Sequence, residues 1–97
     1  MIRRPSEQLK DVLRLFWRDN PELYHQMLEA RVERLWCELF GTSVAKATSN
    51  VYIKNRVLYV SMTSSVVRSE MLVIRKRIVE TLNNHAGSDV IDEVVIR

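Results

Sequence analysis

Residues 49 to 72, SNVYIKNRVLYVSMTSSVVRSEML, allow few backbone arrangements and constrain the rest of the chain. From Ser49 to Lys54 the residues alternate, with Val51 and Ile53 on one side and Tyr52 and Lys54 on the other. From Val57 to Met62 they alternate again, with Leu58, Val60 and Met62 opposite Val57, Tyr59 and Ser61. Period-two alternation of this kind marks half-buried strands. Asn55-Arg56 between them fits a two-residue type I′ turn, since Asn tolerates the positive φ such a turn demands. That loop length predicts Lys54 opposite Val57, Ile53 opposite Leu58, Tyr52 opposite Tyr59 and Val51 opposite Val60. The aliphatic residues then share one face and the two tyrosines pair on the other. Thr63-Ser64-Ser65 ends the second strand and offers hydroxyls to cap a following helix.

Ahead of the hairpin, Leu9, Val12, Leu13 and Phe16 recur at helical spacing over residues 6–19, with Ser6 in position to cap. Asn20-Pro21 ends that helix and starts another, Asn20 as cap, Pro21 at the first helical position and Glu22 in the first turn. The first helix either docks on another protein or folds onto its own domain, and Trp17, beside the stripe, is the residue expected to be partly exposed. Residues 21–40 place Tyr24, Leu28, Val32, Leu35, Trp36 and Leu39 on one arc, with Phe40 at its edge. Trp36, inside that arc, is expected in the core. Gly41 stands where a left-handed residue is wanted to end the helix. Residues 42–48 hold a short turn of helix, with Lys46 solvated.

After the hairpin, residues 65–84 read as one helix with a stripe of Val67, Met71, Ile74, Ile78 and Leu82 and a second stripe of Leu72 and Val79. Arg68 and Arg75 lie between the stripes. They either reach out through a seam with buried aliphatic stems, or pair internally with a carboxylate such as Glu70 or Glu29. Asn83-Asn84 and Gly87 end this helix. Residues 89–97 supply a third strand, Val94 and Ile96 on the buried face and Val95 and Arg97 on the tyrosine face. If it runs parallel to the second strand, the crossover should be right-handed. The expected fold is α+β, a two-layer α-α-β-β-α-β domain with a three-stranded sheet backed by helices. Residues 1–20 form its N-terminal amphipathic helix and residues 21–97 the domain proper.

Charge sharpens the functional reading. The net charge is only +3, yet residues 41–77 carry seven cations against Glu70 alone, while residues 78–97 carry four acids against Arg97. The middle of the chain is the part suited to phosphate. Tyr52 and Tyr59, flanked by Lys54, Arg56 and Arg97, make a surface able to stack bases of single-stranded DNA or RNA. The same tyrosines also suit a plain cross-strand pair under the N-terminal helix. A second cationic candidate combines Arg68 and Arg75 with Lys46.

Other chemistry finds no support. Cys37 is the only cysteine, so an internal disulfide or thiolate zinc cluster is excluded, and His25 and His85 bring no third ligand at a usable spacing. No metal or cofactor is expected. A phosphate-binding glycine loop, a nucleophile elbow and a close His/Asp/Ser set are all missing, so no catalysis is expected. No apolar run nears the roughly 20 residues that span a bilayer, and MIRRPSEQ lacks a signal peptide's apolar segment, so a cytoplasmic protein is expected.

Trp36, Gly41, Leu58-Tyr59-Val60, Ser64-Ser65 with Glu70 and Leu72, and Leu82-Asn83 before Gly87 resemble, in order and spacing, the DciA-like family. The likeness spans about residues 25–97. It implies a K-homology-like domain and a partner in the DnaB-type replicative helicase of bacteria, with DNA as a second partner. Some members have been labelled Zn-ribbon RNA-binding proteins, a zinc ribbon that a single cysteine cannot build. A K-homology domain grips nucleic-acid backbone with a Gly-x-x-Gly loop. Gly41 and Gly87 are the only glycines here, so that grip is not expected.

Overall fold

A computed structural model describes residues 5–97. In chain order the elements are α1 (Pro5–Asp19), α2 (Pro21–Leu39), α3 (Thr42–Ala47), β1 (Thr48–Lys54), β2 (Val57–Met62), α4 (Ser65–Val73), α5 (Arg75–Ala86) and β3 (Glu93–Ile96). The sheet runs β1-β2-β3, with β2 central, antiparallel to β1 and parallel to β3. This is the α+β architecture expected, with the short turn after Gly41 formed as a full helix and the last helix divided in two.

The hairpin has the register set by its loop: Lys54 opposite Val57, Ile53 opposite Leu58, Tyr52 opposite Tyr59, Val51 opposite Val60. Both turn residues are left-handed, Asn55 at φ 52 and Arg56 at φ 64. A non-glycine residue there costs about 1 kcal/mol. Arg56 is held by its side chain, which donates two hydrogen bonds of 2.9 Å to the Asp92 carboxylate and lies 3.5 Å from Asp89. Its carbonyl also accepts from the Asp92 N–H at 2.8 Å. The turn is thereby strapped to the segment that leads into β3.

One face of the sheet builds the core. Leu58, Val60, Met62, Val94 and Ile96 pack with Leu28, Val32 and Trp36 of α2, Val44 and Ala47 of α3, Met71 of α4, and Ile78, Leu82 and Ala86 of α5. Trp36 is fully buried, as its place in the α2 arc required. Its indole N–H donates to the Thr48 hydroxyl at 3.0 Å, which donates in turn to the Val44 carbonyl at 2.7 Å. Such pairing is what a buried indole needs. Val90 and Ile91 in the α5–β3 loop are also buried, although no periodicity marks them. Asn83 makes that possible: its carbonyl oxygen accepts from the Val90 and Ile91 N–H groups, while its amide donates to the Ile91 carbonyl and to Asp89.

The single helix expected over residues 65–84 is two helices, broken at Ile74 (φ −103, ψ 21). There the chain tightens to an Ile74 N–H bond to Met71 O at 3.3 Å. The break lets α4 pack by α3 and the strands while α5 turns onto α2 and β3. Ser64 caps α4, its hydroxyl accepting from the Val67 N–H at 3.3 Å. Gly87, left-handed at φ 80, closes α5 with its N–H on the Asn83 and Asn84 carbonyls. Gly41 also has positive φ (90), but with ψ 170 it lies outside the αL well, in a region open essentially only to glycine, and it opens α3. Phe40 ends α2 instead.

The N-terminal helix is different in kind. None of its described residues is buried. Leu9, Val12, Leu13 and Phe16 are 42–62% exposed, and the molecule measures 57 × 25 × 21 Å. Ser6 lies inside α1 and is not its cap. Asn20 does not cap α2 with its side chain; its amide donates back to the Phe16 carbonyl at 2.8 Å. Trp17 sits half-buried at the elbow between Phe16 and Tyr24, with ring centroids 5.1 and 5.7 Å away. Tyr24, expected on the buried arc of α2, belongs to this elbow and is 38% exposed.

Candidate nucleic-acid interface

The sheet face opposite the core is shaped by the alternation of its strands. Tyr52 and Tyr59 stack on it, centroids 5.0 Å apart and planes 15° from parallel. Neither ring is buried. Arg97 reaches across from the end of β3: its guanidinium lies 5.3 Å from the Tyr59 centroid and donates to the Tyr52 hydroxyl at 2.7 Å. Such a cation over an aromatic face is attracted by the ring quadrupole. Lys54 is exposed at the end of β1, opposite Val57. The pleat adds Asn50, Ser61 and Val95 to this face, with Glu93 its one acid among the described strand residues. Aromatic surface beside two cations, open to solvent, can stack bases and attract phosphate.

Arg56 does not join this surface. Its guanidinium is committed to Asp92 and Asp89, so its pKa is raised by the hydrogen bond to Asp92, and the Asp92 carboxyl is lowered by the same bond.

The second candidate set does not assemble as one seam. Arg68 and Arg75, one heptad apart in sequence, lie on different helices across the break at Ile74. Arg68 pairs with neither Glu70 nor Glu29. Its guanidinium donates to the Met62 carbonyl at 2.9 Å, and its Nε is enclosed without a partner. Lys46 is exposed on α3. Arg75 instead stands with Lys76 and Arg77 at the start of α5, all exposed, beside Val73, which is 85% exposed. Among the described residues no carboxylate pairs with these three cations. The run Arg75-Lys76-Arg77 was visible in the sequence, but only the break turns it into a projecting basic corner.

Three further residues carry structure that sequence reasoning missed. Asn83 staples the loop before β3, Asp92 straps the hairpin turn, and Arg31 donates to the Ala86 carbonyl at 2.9 Å, satisfying the end of α5. Asparagine two turns before an acidic loop was the one sequence signal, because such residues bond local backbone. Among the described residues no group of three His, Cys, Asp or Glu side chains can hold a metal, and no helix is long and apolar enough to cross a membrane.

The comparisons with known proteins add one match. No curated protein and no solved structure matches the chain. A family model does, described as "Dna[CI] antecedent, DciA", over residues 8–96. That match includes most of α1 as well as the whole sheet and its helices. DciA is a family related to loading of the DnaB replicative helicase, which gives the chain a replication-related binding role and a helicase as its kind of partner. From α1 to β3, this chain belongs to the DciA family.

Proposed function

We propose that this chain is a non-enzymatic adaptor of bacterial DNA replication, engaging a DnaB-type helicase through α1 and single-stranded DNA through the tyrosine face of its sheet. The observation that carries the reading is α1 itself. Its apolar stripe stays 42–62% exposed at Leu9, Val12, Leu13 and Phe16 while the core closes without it. An apolar stripe left on one helix calls for a partner groove, read at the i, i+3, i+4 and i+7 positions. Binding would take place in the cytoplasm, where the helicase and its DNA are.

The test is capture of the helicase from the source bacterium by the tagged full chain. Retention by the native chain and loss in a Leu9→Glu/Phe16→Glu variant support the reading. A native chain that never retains the helicase, while other replisome contacts survive, overturns it.

A second reading, a single-stranded DNA or RNA binder without a helicase partner, is favoured by the Tyr52–Tyr59 stack with Lys54 and Arg97 beside it. It predicts oligothymidine binding that weakens steeply with salt and falls in Tyr59→Ala and Lys54→Ala. Arg56→Ala should have less effect, since Arg56 faces Asp92. Lys46 and Arg75, exposed on α3 and at the start of α5, would add only scattered cations, and Arg68 is committed to the Met62 carbonyl. Affinity unchanged between low and high salt removes this reading.

A further inference from the structure

The two outer edges of the sheet are not alike. β1 is irregular between Thr48 and Asn50, where the register shifts, and α2 lies against it. A bulged, covered edge resists strand addition. β3 is regular and bonded on one side only, to β2. Arg97 donates its N–H to Val60 O at 2.9 Å and its carbonyl accepts from the Met62 N–H at 2.7 Å. Both main-chain groups of Arg97 therefore face β2. In a parallel ladder alternate residues share that direction. Val95 faces β2 as well, and the N–H and C=O groups of Val94 and Ile96 turn to the outer edge.

The strand is also complementary to itself when reversed. Glu93-Val94-Val95-Ile96-Arg97, laid antiparallel on a second copy about Val95, sets Glu93 opposite Arg97 at both ends. Val94 then meets Ile96, and Val95 meets Val95. In this register Val94 and Ile96, whose polar groups point outward, are the residues that exchange hydrogen bonds across the axis. Hydrogen-bond parity and charge sign thus select the same two-fold axis, as an isologous contact requires. A shift by one residue faces Val94 with Val95, whose groups point the other way. A shift by two leaves Arg97 opposite an apolar residue.

We propose that β3 pairs antiparallel with β3 of a second copy about Val95, joining two three-stranded sheets into one. The contact is short, so the dimer is weak and concentration-dependent. Arg97 must leave the Tyr52 hydroxyl to meet Glu93 of the second copy, so its two uses exclude one another.

Sedimentation of the full chain between about 10 µM and 1 mM tests this, within the range where weak dimers dissociate. The native chain should show a reversible monomer–dimer equilibrium. Glu93→Arg and Arg97→Glu each place like charges together at both ends, and each should weaken the dimer about tenfold. The double exchange Glu93→Arg/Arg97→Glu restores opposite signs and should return the native affinity. Both residues are exposed, and circular dichroism checks that each variant folds. A chain monomeric throughout means the edge is merely blunted by its length and charge, and overturns the proposal. So does a dimer indifferent to both exchanges but abolished by Leu9→Glu/Phe16→Glu, which would place the contact on α1.

Discussion

Helices α1 and α2 carry similar sequence patterns and meet opposite fates. Leu9, Val12, Leu13 and Phe16 recur three and four residues apart, as Leu28, Val32, Leu35 and Trp36 do. Yet the α2 set is buried or packed on the core while the α1 set faces solvent. The difference lies in what each helix can reach. Asn20-Pro21 separates them, and the Phe16–Trp17–Tyr24 ring contacts hold the elbow. From there α2 runs along the hairpin and α5, while α1 leaves the domain. Periodicity specifies that a helix has an apolar face. It does not say whether the covering surface belongs to the same chain.

The comparison can be broken first on the α2 side. Trp36→Ala should cost about 3–5 kcal/mol, because a fully buried indole leaves a cavity, and the Thr48 hydroxyl loses its donor. Denaturant unfolding would register it; a loss below about 1 kcal/mol would mean α2 is no more integrated than α1. Next comes the loop that completes the core. Asn83→Ala should cost on the order of 2–3 kcal/mol by orphaning the Val90 and Ile91 N–H groups. Hydrogen exchange should quicken at those two amides before it does in β2.

On the α1 side the expected effect is small. Val12→Asp, at a position 62% exposed and outside the ring contacts of the elbow, should change stability by no more than about 0.5 kcal/mol, as for an exposed position without structural duty, while abolishing helicase capture. A large destabilisation would show that the stripe packs on its own domain after all. The smallest effect concerns the strap on the hairpin. The folded-state pKa of Asp92 is lowered by Arg56, so the pair stabilises the fold above the ordinary aspartate pKa. That contribution is lost as pH falls through the lowered value. Asp92→Asn should lower stability slightly at neutral pH and leave it unchanged in acid, so that the acid-side decline flattens; the effect is small because the pair is exposed.

The hairpin was legible because two signals, period-two alternation and a two-residue turn, fix a register with no reference to the rest of the chain. Arg56 was read as a member of the binding face because its partner lies 36 residues away, a pairing that no local pattern announces. The break at Ile74 was invisible for a different reason. Val67, Met71, Ile74, Ile78 and Leu82 keep one helical phase straight through it, so the stripe looks continuous while the axis turns. Val90 and Ile91 escaped notice because their burial depends on Asn83, an amide whose use is decided by tertiary position. The tyrosine pair could be placed on a face from sequence, but whether α1 covered that face was a question of chain direction after Pro21.

The separation of α1 from the domain is tested most directly by a chain that begins at Pro21. Its thermal unfolding should remain cooperative, with Tm within about 4 °C of the full chain, which corresponds to a stability change of no more than about 1 kcal/mol. Loss of the cooperative transition, or a far larger drop in Tm, would contradict the account, because α1 would then be part of the core.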